Sequence, residues 1–312
     1  MNQIKITLVF ALFLITIPYL KSQSNFKSDY FEEIIAQNDT FRYKLNSPSK
    51  VFVLPAILKE ISGITLYNET YLACIQDEKA TIYLFSLETG KVIDKLDYKK
   101  DGDFEDIEII GETAYLLRSD GKIFEIIQFE NKNYILNKYK TSLRKKNNTE
   151  GLTYDYATNS LLISCKDESS VSNEISNDFK TIYMFTLKDK KLIPEPSIVI
   201  HPDSVLSNLG YSPFASIPPE IEKKLNHSTG KLNYKPSGIA IHPISKRIYI
   251  ISSVGKLLIV ADFLGNIIFV EHLNKSIFKK PEGICFESNG TMYISNEGKK
   301  GKGNILKFKY QK

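Results

Sequence analysis

Apolar and polar residues alternate in short bursts along most of this chain. Runs rich in Ile, Leu, Val, Tyr and Phe are cut by turn-forming clusters such as Glu88-Thr-Gly90, Ser119-Asp-Gly121, Ser253-Val-Gly255, Leu264-Gly-Asn266 and Ser288-Asn-Gly290. Runs of this length, ended by hairpin signals, predict β-strands. They fall into sets of four. The first set covers 64–67, 71–75, 81–87 and 91–96, and the second 107–110, 114–117, 122–126 and 134–138. The third covers 152–154, 160–164, 181–187 and 197–200, with a polar loop over 167–179. The fourth covers 238–241, 247–251, 257–261 and 266–270. A fifth set stops after three strands, at 283–286, 291–295 and 304–309.

Each set opens on one phrase: Glu60-Ile-Ser-Gly-Ile64, Phe104-Glu-Asp-Ile107, Thr149-Glu-Gly-Leu152, Pro236-Ser-Gly-Ile239 and Pro281-Glu-Gly-Ile284. The aligned positions Ser62, Glu105, Glu150, Ser237 and Glu282 are 43, 45, 87 and 45 residues apart. Four strands on a period of about 44 residues predict an all-β fold, a single β-propeller of five four-stranded blades. The strand the fifth blade lacks is available at 51–54, ValPheValLeu, and pairing the two chain ends would close the ring and remove exposed edges. Residues 201–235 break the rhythm. Pro202, Pro213, Pro218 and Pro219 argue against central strands, and 217–225 reads as a short helix opening on a proline pair. We read the segment as an insertion between blades; the alternative is a degenerate sixth blade.

The N-terminus departs from the pattern. A basic start at Lys5, an apolar run from Ile6 to Leu20 and a polar exit at Lys21-Ser-Gln-Ser24 have the layout of a signal peptide over 1–24, with a retained membrane anchor as the alternative. Residues 25–42 read as a tether and 43–312 as the propeller. The expected location is the periplasm or cell envelope, and a monomer is expected. Loss of Lys5 and Lys21 lowers the formal charge from +5 to +3, and the remaining basic residues are dispersed, which excludes a nucleic-acid surface. Cys74, Cys165 and Cys285 sit inside apolar runs without zinc spacing and read as buried free thiols.

Candidate chemistry comes from the repeat. In a propeller the start of each innermost strand points toward the central channel, so Glu105, Glu150 and Glu282 would converge. Carboxylates gathered on one axis repel and require a cation or protons. Hard oxygen ligands suit Ca²⁺, so these three are the candidate metal ligands. Second-strand ends add Glu78, Arg118, Lys166, Glu168 and Glu297, and with Asp106 these are the candidate ligand-binding residues. Blade four carries Ser252-Ser-Val254 where the others carry a carboxylate. No HisGluXXHis, GlyXSerXGly or phosphate-loop motif is present. Gly298 to Gly303 reads as a hairpin turn, His201 and His242 as turn residues, and Lys279-Lys280 as a surface pair.

Together the phrases IleSerGlyIle, PheGluAspIleGlu, GluGlyLeuThrTyrAsp, ProSerGlyIleAlaIleHisPro and ProGluGlyIleCysPhe resemble the SdiA-regulated (YjiK-like) family of bacterial envelope proteins. The resemblance implies an exported β-propeller, distantly similar to calcium-binding phytase-like and NHL-type propellers. Three functions follow as expectations. The first is a Ca²⁺-binding envelope propeller that recognises a small molecule or an envelope protein. The second is a Ca²⁺-dependent phosphoester hydrolase, with Arg118 and Lys166 on the substrate anion. The third is a metal-free scaffold.

Overall fold

A computed structural model describes residues 41–171, 175–176, 178–210 and 234–311. The chain divides into Met1–Phe41 and Arg42–Lys312, and every strand among the described residues lies in the second unit. The expected signal peptide, nearly all of the tether, and the helix expected at 217–225 lie outside the described residues.

Five sheets radiate from one axis. The chain enters through β1 (Lys50–Val53), then builds blade one from β2 (Ile61–Leu66), β3 (Tyr71–Gln76), β4 (Lys79–Ser86) and β5 (Val92–Asp101). Blade two is β6 (Phe104–Ile110), β7 (Thr113–Arg118), β8 (Ile123–Ile127) and β9 (Ile135–Tyr139). Blade three is β10 (Thr149–Asp155), β11 (Ser160–Cys165), β12 (Lys180–Thr186) and an outer strand in two pieces, β13 (Lys191–Leu192) and β14 (Ile198–Ile200). Pro194 and Pro196 lie between those pieces and lack the N–H groups an unbroken outer strand would donate. A short helix α1 (Pro202–Asn208) follows, with His201 Nδ1 accepting from Asp203 N at its start. Blade four is β15 (Lys235–Ile241), β16 (Ile248–Val254), β17 (Leu257–Ala261) and β18 (Ile267–His272). Blade five is β19 (Pro281–Phe286), β20 (Met292–Asn296) and β21 (Asn304–Phe308), completed by β1, with Lys50 opposite Lys307 and Val53 opposite Asn304. Five blades, closed by the N-terminal strand, is the architecture the repeat predicts.

The middle strands are continuous apolar runs because they are buried on both faces. On β4, Tyr83 and Phe85 pack toward blade five, while Ile82 and Leu84 pack toward blade two. Cys74, Cys165 and Cys285 are free and buried in these layers.

The repeated phrase has a backbone cause. Each innermost strand skips register at it: between Ile61 and Ile64, Phe104 and Asp106, Thr149 and Gly151, Pro236 and Gly238, and Pro281 and Ile284. The skipped position includes Ser62, Glu105, Glu150, Ser237 or Glu282. A bulge bends the strand and re-aims the extra side chain. The following Gly permits close approach between neighbouring blades: a Cβ on Gly63 would lie 2.3 Å from Asp106 Oδ1, and one on Gly238 would lie 2.4 Å from the Glu282 carbonyl oxygen.

An innermost strand has one edge without a ladder partner, and side chains from the next blade cover it. Thr65 donates to Glu108 Oε1 at 2.8 Å. Leu152 N donates to Asp106 Oδ2 at 2.7 Å and Tyr154 N to Glu108 Oε2 at 3.0 Å. Ile241 N reaches Thr153 Oγ1, Ser237 Oγ donates to the Pro281 carbonyl at 2.7 Å, and Ser295 Oγ reaches the Ser62 carbonyl. Asp106 stands where four of the five phrases have Gly. It was expected to bind ligand; instead it is 3% exposed and its carboxylate clamps β6 to β10.

On the face where the innermost strands end, hereafter the distal face, both ends of the propeller meet. Gln311 N donates to the Arg42 carbonyl, and Tyr43 is buried among His242, Tyr249, Phe286 and Tyr310. His242 Nδ1 accepts from Ser245 N at 3.0 Å, so its proton sits on Nε2, which faces Tyr43 OH at 2.7 Å. The Tyr43 hydroxyl in turn donates to the Gly290 carbonyl.

Two predictions follow from these contacts. Asp106→Ala should lower unfolding stability in urea by about 1–3 kcal/mol, because Leu152 N is left buried without an acceptor; Asp106→Asn, which keeps an acceptor oxygen, should lose less. Burial and then Lys246 hold His242 down at about 4 against an ordinary 6.5. The unfolded chain therefore takes up a proton that the folded chain refuses, and stability falls as pH drops from about 6.5 to about 4, by up to about 3 kcal/mol. Urea melts at pH 7 and pH 4.5 should show this loss in the wild type and a smaller one in His242→Gln.

Candidate functional site

The bulges turn three carboxylates into the channel mouth on the face where the innermost strands begin. Glu150 is 5% exposed, Glu282 is 7% exposed and Glu105 is half-buried. They act on one another strongly. Burial, then Glu150 and Asp103, hold Glu105 well above the ordinary carboxylate range. Burial also raises Glu150 and Glu282, against the pull of Lys166 and Lys280 respectively. The three residues singled out by the repeat are thus brought together.

Their counter-charges come from the chain itself. Lys166 Nζ lies 2.5 Å from Glu150 Oε1, and Lys280 Nζ lies 3.0 Å from Glu282 Oε1 and also pairs with Glu297. Burial pulls Lys166 down, but Glu150, with Glu282 and Glu105, more than offsets it and keeps the ammonium charged. Lys280 is held up in the same way. Among the described residues no group of three Asp, Glu, His or Cys side chains is arranged to hold a metal ion. The donor set as arranged does not fit calcium: two ammonium groups already sit against two of the three expected ligands.

The other expected residues divide. Lys166 and Glu297 belong to this mouth. Arg118 is committed to Asp120 through Nε–Oδ1 at 2.9 Å and Nη2–Oδ2 at 2.7 Å, and Lys122 pairs with the same carboxylate. Glu168 pairs with Lys146 at 2.8 Å, both more than a third exposed. Glu78 is an exposed turn residue.

Two residues, Lys280 and Lys256, were not anticipated, and a third, Asp77, lies at a second-strand end beside Glu78. Lys280, read as part of a surface pair, is the cation between Glu282 and Glu297. Lys256 sits in the blade that lacks a second-strand carboxylate and donates to the Ser253 carbonyl at 2.8 Å. Burial, then Lys299, lowers it to about 8. Asp77 has Oδ1 buried without a hydrogen-bond partner, and burial, then Glu60, Asp103 and Glu78, raise its carboxyl. The mouth is therefore polarised. On the side of blades one and two, the charges acting most strongly on Asp77 are all carboxylates. On the side of blades four and five, Lys256 faces Lys299, Lys275 and Lys280 with Glu282 as the acidic neighbour.

Over residues 37–189 the chain matches the SdiA-regulated family. This bears out the resemblance carried by the repeated phrases, from before β1 through the third strand of blade three. Glutaminyl cyclase from Myxococcus xanthus is similar in structure, with a TM-score of 0.52 and 11% identity over 85% of this chain and 96% of that one. The β-propeller domain of Myceliophteria thermophila Cps50 (Swd1) has a TM-score of 0.43 and 9% identity over 80% of this chain and 83% of its own. Virginiamycin B lyase from Staphylococcus aureus has 0.42 and 14% over 83% and 73%. At 11% identity the likeness to the cyclase is one of fold alone. No curated protein matches the chain.

The charges at this mouth lead to a testable electrostatic expectation. A carboxyl whose folded value is raised contributes stability that is full below its ordinary range and lost as pH climbs toward the folded value. Glu105→Gln should therefore stabilise the fold at pH 7 by on the order of 1 kcal/mol and change little at pH 4. Lys166→Met should do the opposite at pH 7, costing about 3 kcal/mol by stranding Glu150. Thermal melts of both variants at the two pH values check this.

Proposed function

We propose that this exported propeller is a recognition module of the cell envelope whose mouth binds a small amphoteric molecule. The ligand's cationic group lies toward Asp77, Asp103 and Glu105, and its anionic group toward Lys256 and Lys280. The observation that carries this reading is the charge separation across the mouth. On one side Asp77 has the carboxylates Glu60, Asp103 and Glu78 as its strongest charged neighbours, and on the other stands a half-buried lysine, Lys256, whose neighbours are mostly lysines. Groups desolvated in this way gain most from a ligand that brings the missing opposite charge. Export rests on the signal-peptide layout of residues 1–24.

The calcium form of the reading requires an ion to displace Lys166 and Lys280 from Glu150 and Glu282. Metal-dependent phosphoester hydrolysis further requires Arg118 to leave Asp120. Both demands weigh against them. A metal-free acid–base activity at the same mouth is the second reading. It draws support from Glu105, whose raised carboxyl keeps a proton available at neutral pH.

Calorimetry of the full chain with glycylglycine, with N-acetylglycylglycine and with glycylglycine amide tests the proposal. Binding of the free dipeptide, weakened at least tenfold by either cap and by Asp77→Asn or Lys256→Met, is expected. Equal binding of all three peptides, or none, overturns it. A CaCl₂ titration alongside is expected to give no heat that Glu150→Gln removes; heat lost in that variant would restore the calcium reading.

A further inference from the structure

Along the sequence the basic residues are dispersed, but the fold gathers eight lysines on the mouth side of blades four and five. The strands of each blade alternate in direction, so the turns between second and third strands and the connections between blades all lie on that side. Four such segments carry the lysines. The turn after β16 holds Lys256, and the connection from β18 to β19 holds Lys275, Lys279 and Lys280. The turn after β20 holds Lys299, Lys300 and Lys302, and the connection from β1 to β2 holds Lys59. Backbone hydrogen bonds knit the four together. Leu273 N donates to the Lys256 carbonyl at 2.8 Å, Glu297 N to the Lys280 carbonyl at 2.9 Å, and Gly298 N to the Lys59 carbonyl at 2.7 Å. The cations therefore form one surface, not four separate tips.

Few carboxylates answer them. Lys280 already takes both Glu282 and Glu297. Among the described residues, none of Lys59, Lys275, Lys279, Lys299, Lys300 and Lys302 pairs with a carboxylate, and all six are exposed. Like charges held side by side by a fixed backbone repel, and an anion spanning several of them relieves that repulsion.

The surroundings of the lysines select the kind of anion. The aromatic ring within these segments, Phe278, is fully buried, so no exposed ring is offered to a nucleic-acid base. Ile57 is their one large exposed hydrophobic, too little to seat the surface in lipid. The segments hold no Arg, whose bidentate fork is the best match for phosphate. Exposed Asn274 and Ser276 flank Lys275. Asn274 Oδ1 accepts from Ser276 Oγ at 2.8 Å, which leaves the amide NH₂ to donate and the hydroxyl oxygen to accept. Hydrogen-bonding groups of that kind between cations suit a sugar that carries acids.

We propose that this lysine surface binds a strand of acidic polysaccharide, with Lys275, Lys299, Lys300 and Lys302 on its uronate carboxylates and Asn274 and Ser276 on its hydroxyls. The surface lies beyond the amphoteric mouth and does not rest on that reading.

The test is the fluorescence anisotropy of a labelled galacturonic acid decamer titrated with the full chain, without divalent ions, at low and at physiological salt. Two triple variants with the same change in charge are compared. One is Lys299→Gln/Lys300→Gln/Lys302→Gln; the other is Lys91→Gln/Lys132→Gln/Lys188→Gln, in exposed turns of the distal face. We expect wild-type binding that weakens as salt rises, a loss of roughly tenfold or more in the first triple with a shallower salt dependence, and little change in the second. Equal losses in the two triples, which would mean attraction to net charge alone, overturn the inference. So does an absence of binding at low salt, or tighter binding of a polyphosphate of the same length. The first triple keeps Lys256 and Lys280, so its affinity for glycylglycine is expected to match the wild type, and the two proposals fail separately.

Discussion

A propeller is a ring of sheets whose innermost edges have no strand to pair with, and in this protein side chains handed from blade to blade stand in for that missing strand. Asp106 is one of them. Its carboxylate accepts from Leu152 N of the next blade while also accepting from its own strand at Ile107 N. Burial pushes the carboxyl well up, and those two N–H bonds pull against it. Neutral hydroxyls do the same work elsewhere in the ring. The spacing of the blades, and with it the width of the mouth, depends on these contacts and on the glycines that let the backbones come together.

The fold was legible because a backbone necessity repeats. Each blade needs a bulge and a residue without a bulky side chain at the same place, and that requirement left the same phrase five times. The aligned residues therefore mark the bulges at the start of the innermost strands. Asp106 could have been read better: it interrupts a column of Gly63, Gly151, Gly238 and Gly283, and an exception in such a column signals a structural substitution. Pro194 and Pro196 could likewise have announced the split outer strand. Other features carry no local signal. Lys280 and Lys256 matter because of what other blades place opposite them, and an adjacent Lys pair looks the same on a solvated turn. Tyr43 and His242 are 199 residues apart, and nothing near either one names the other.

The mouth buries several carboxylates against counter-charges from the chain itself. Two lysines neutralise two of them, and the third keeps its proton. Such an arrangement is electrically near balance yet locally polarised, since the lysines crowd one side. A calcium ion would face competition from covalently tethered cations, whereas an amphoteric ligand adds a cation on one side and an anion on the other with no net change in charge. Arg118 and Glu168, by contrast, illustrate that a strand end on the correct face need not reach the axis.

Completion of blade five by β1 sets a kinetic condition on the whole molecule. Val53 lies opposite Asn304, so the first strand of the propeller pairs with the last to be synthesised. Closing so long a loop is entropically costly, and contacts of such separation form late. Until the C-terminal hairpin exists, blade one must wait with an open flank and β1 with nothing to join. A chain built this way stays incomplete while it emerges, and the ring closes only when its last strand arrives.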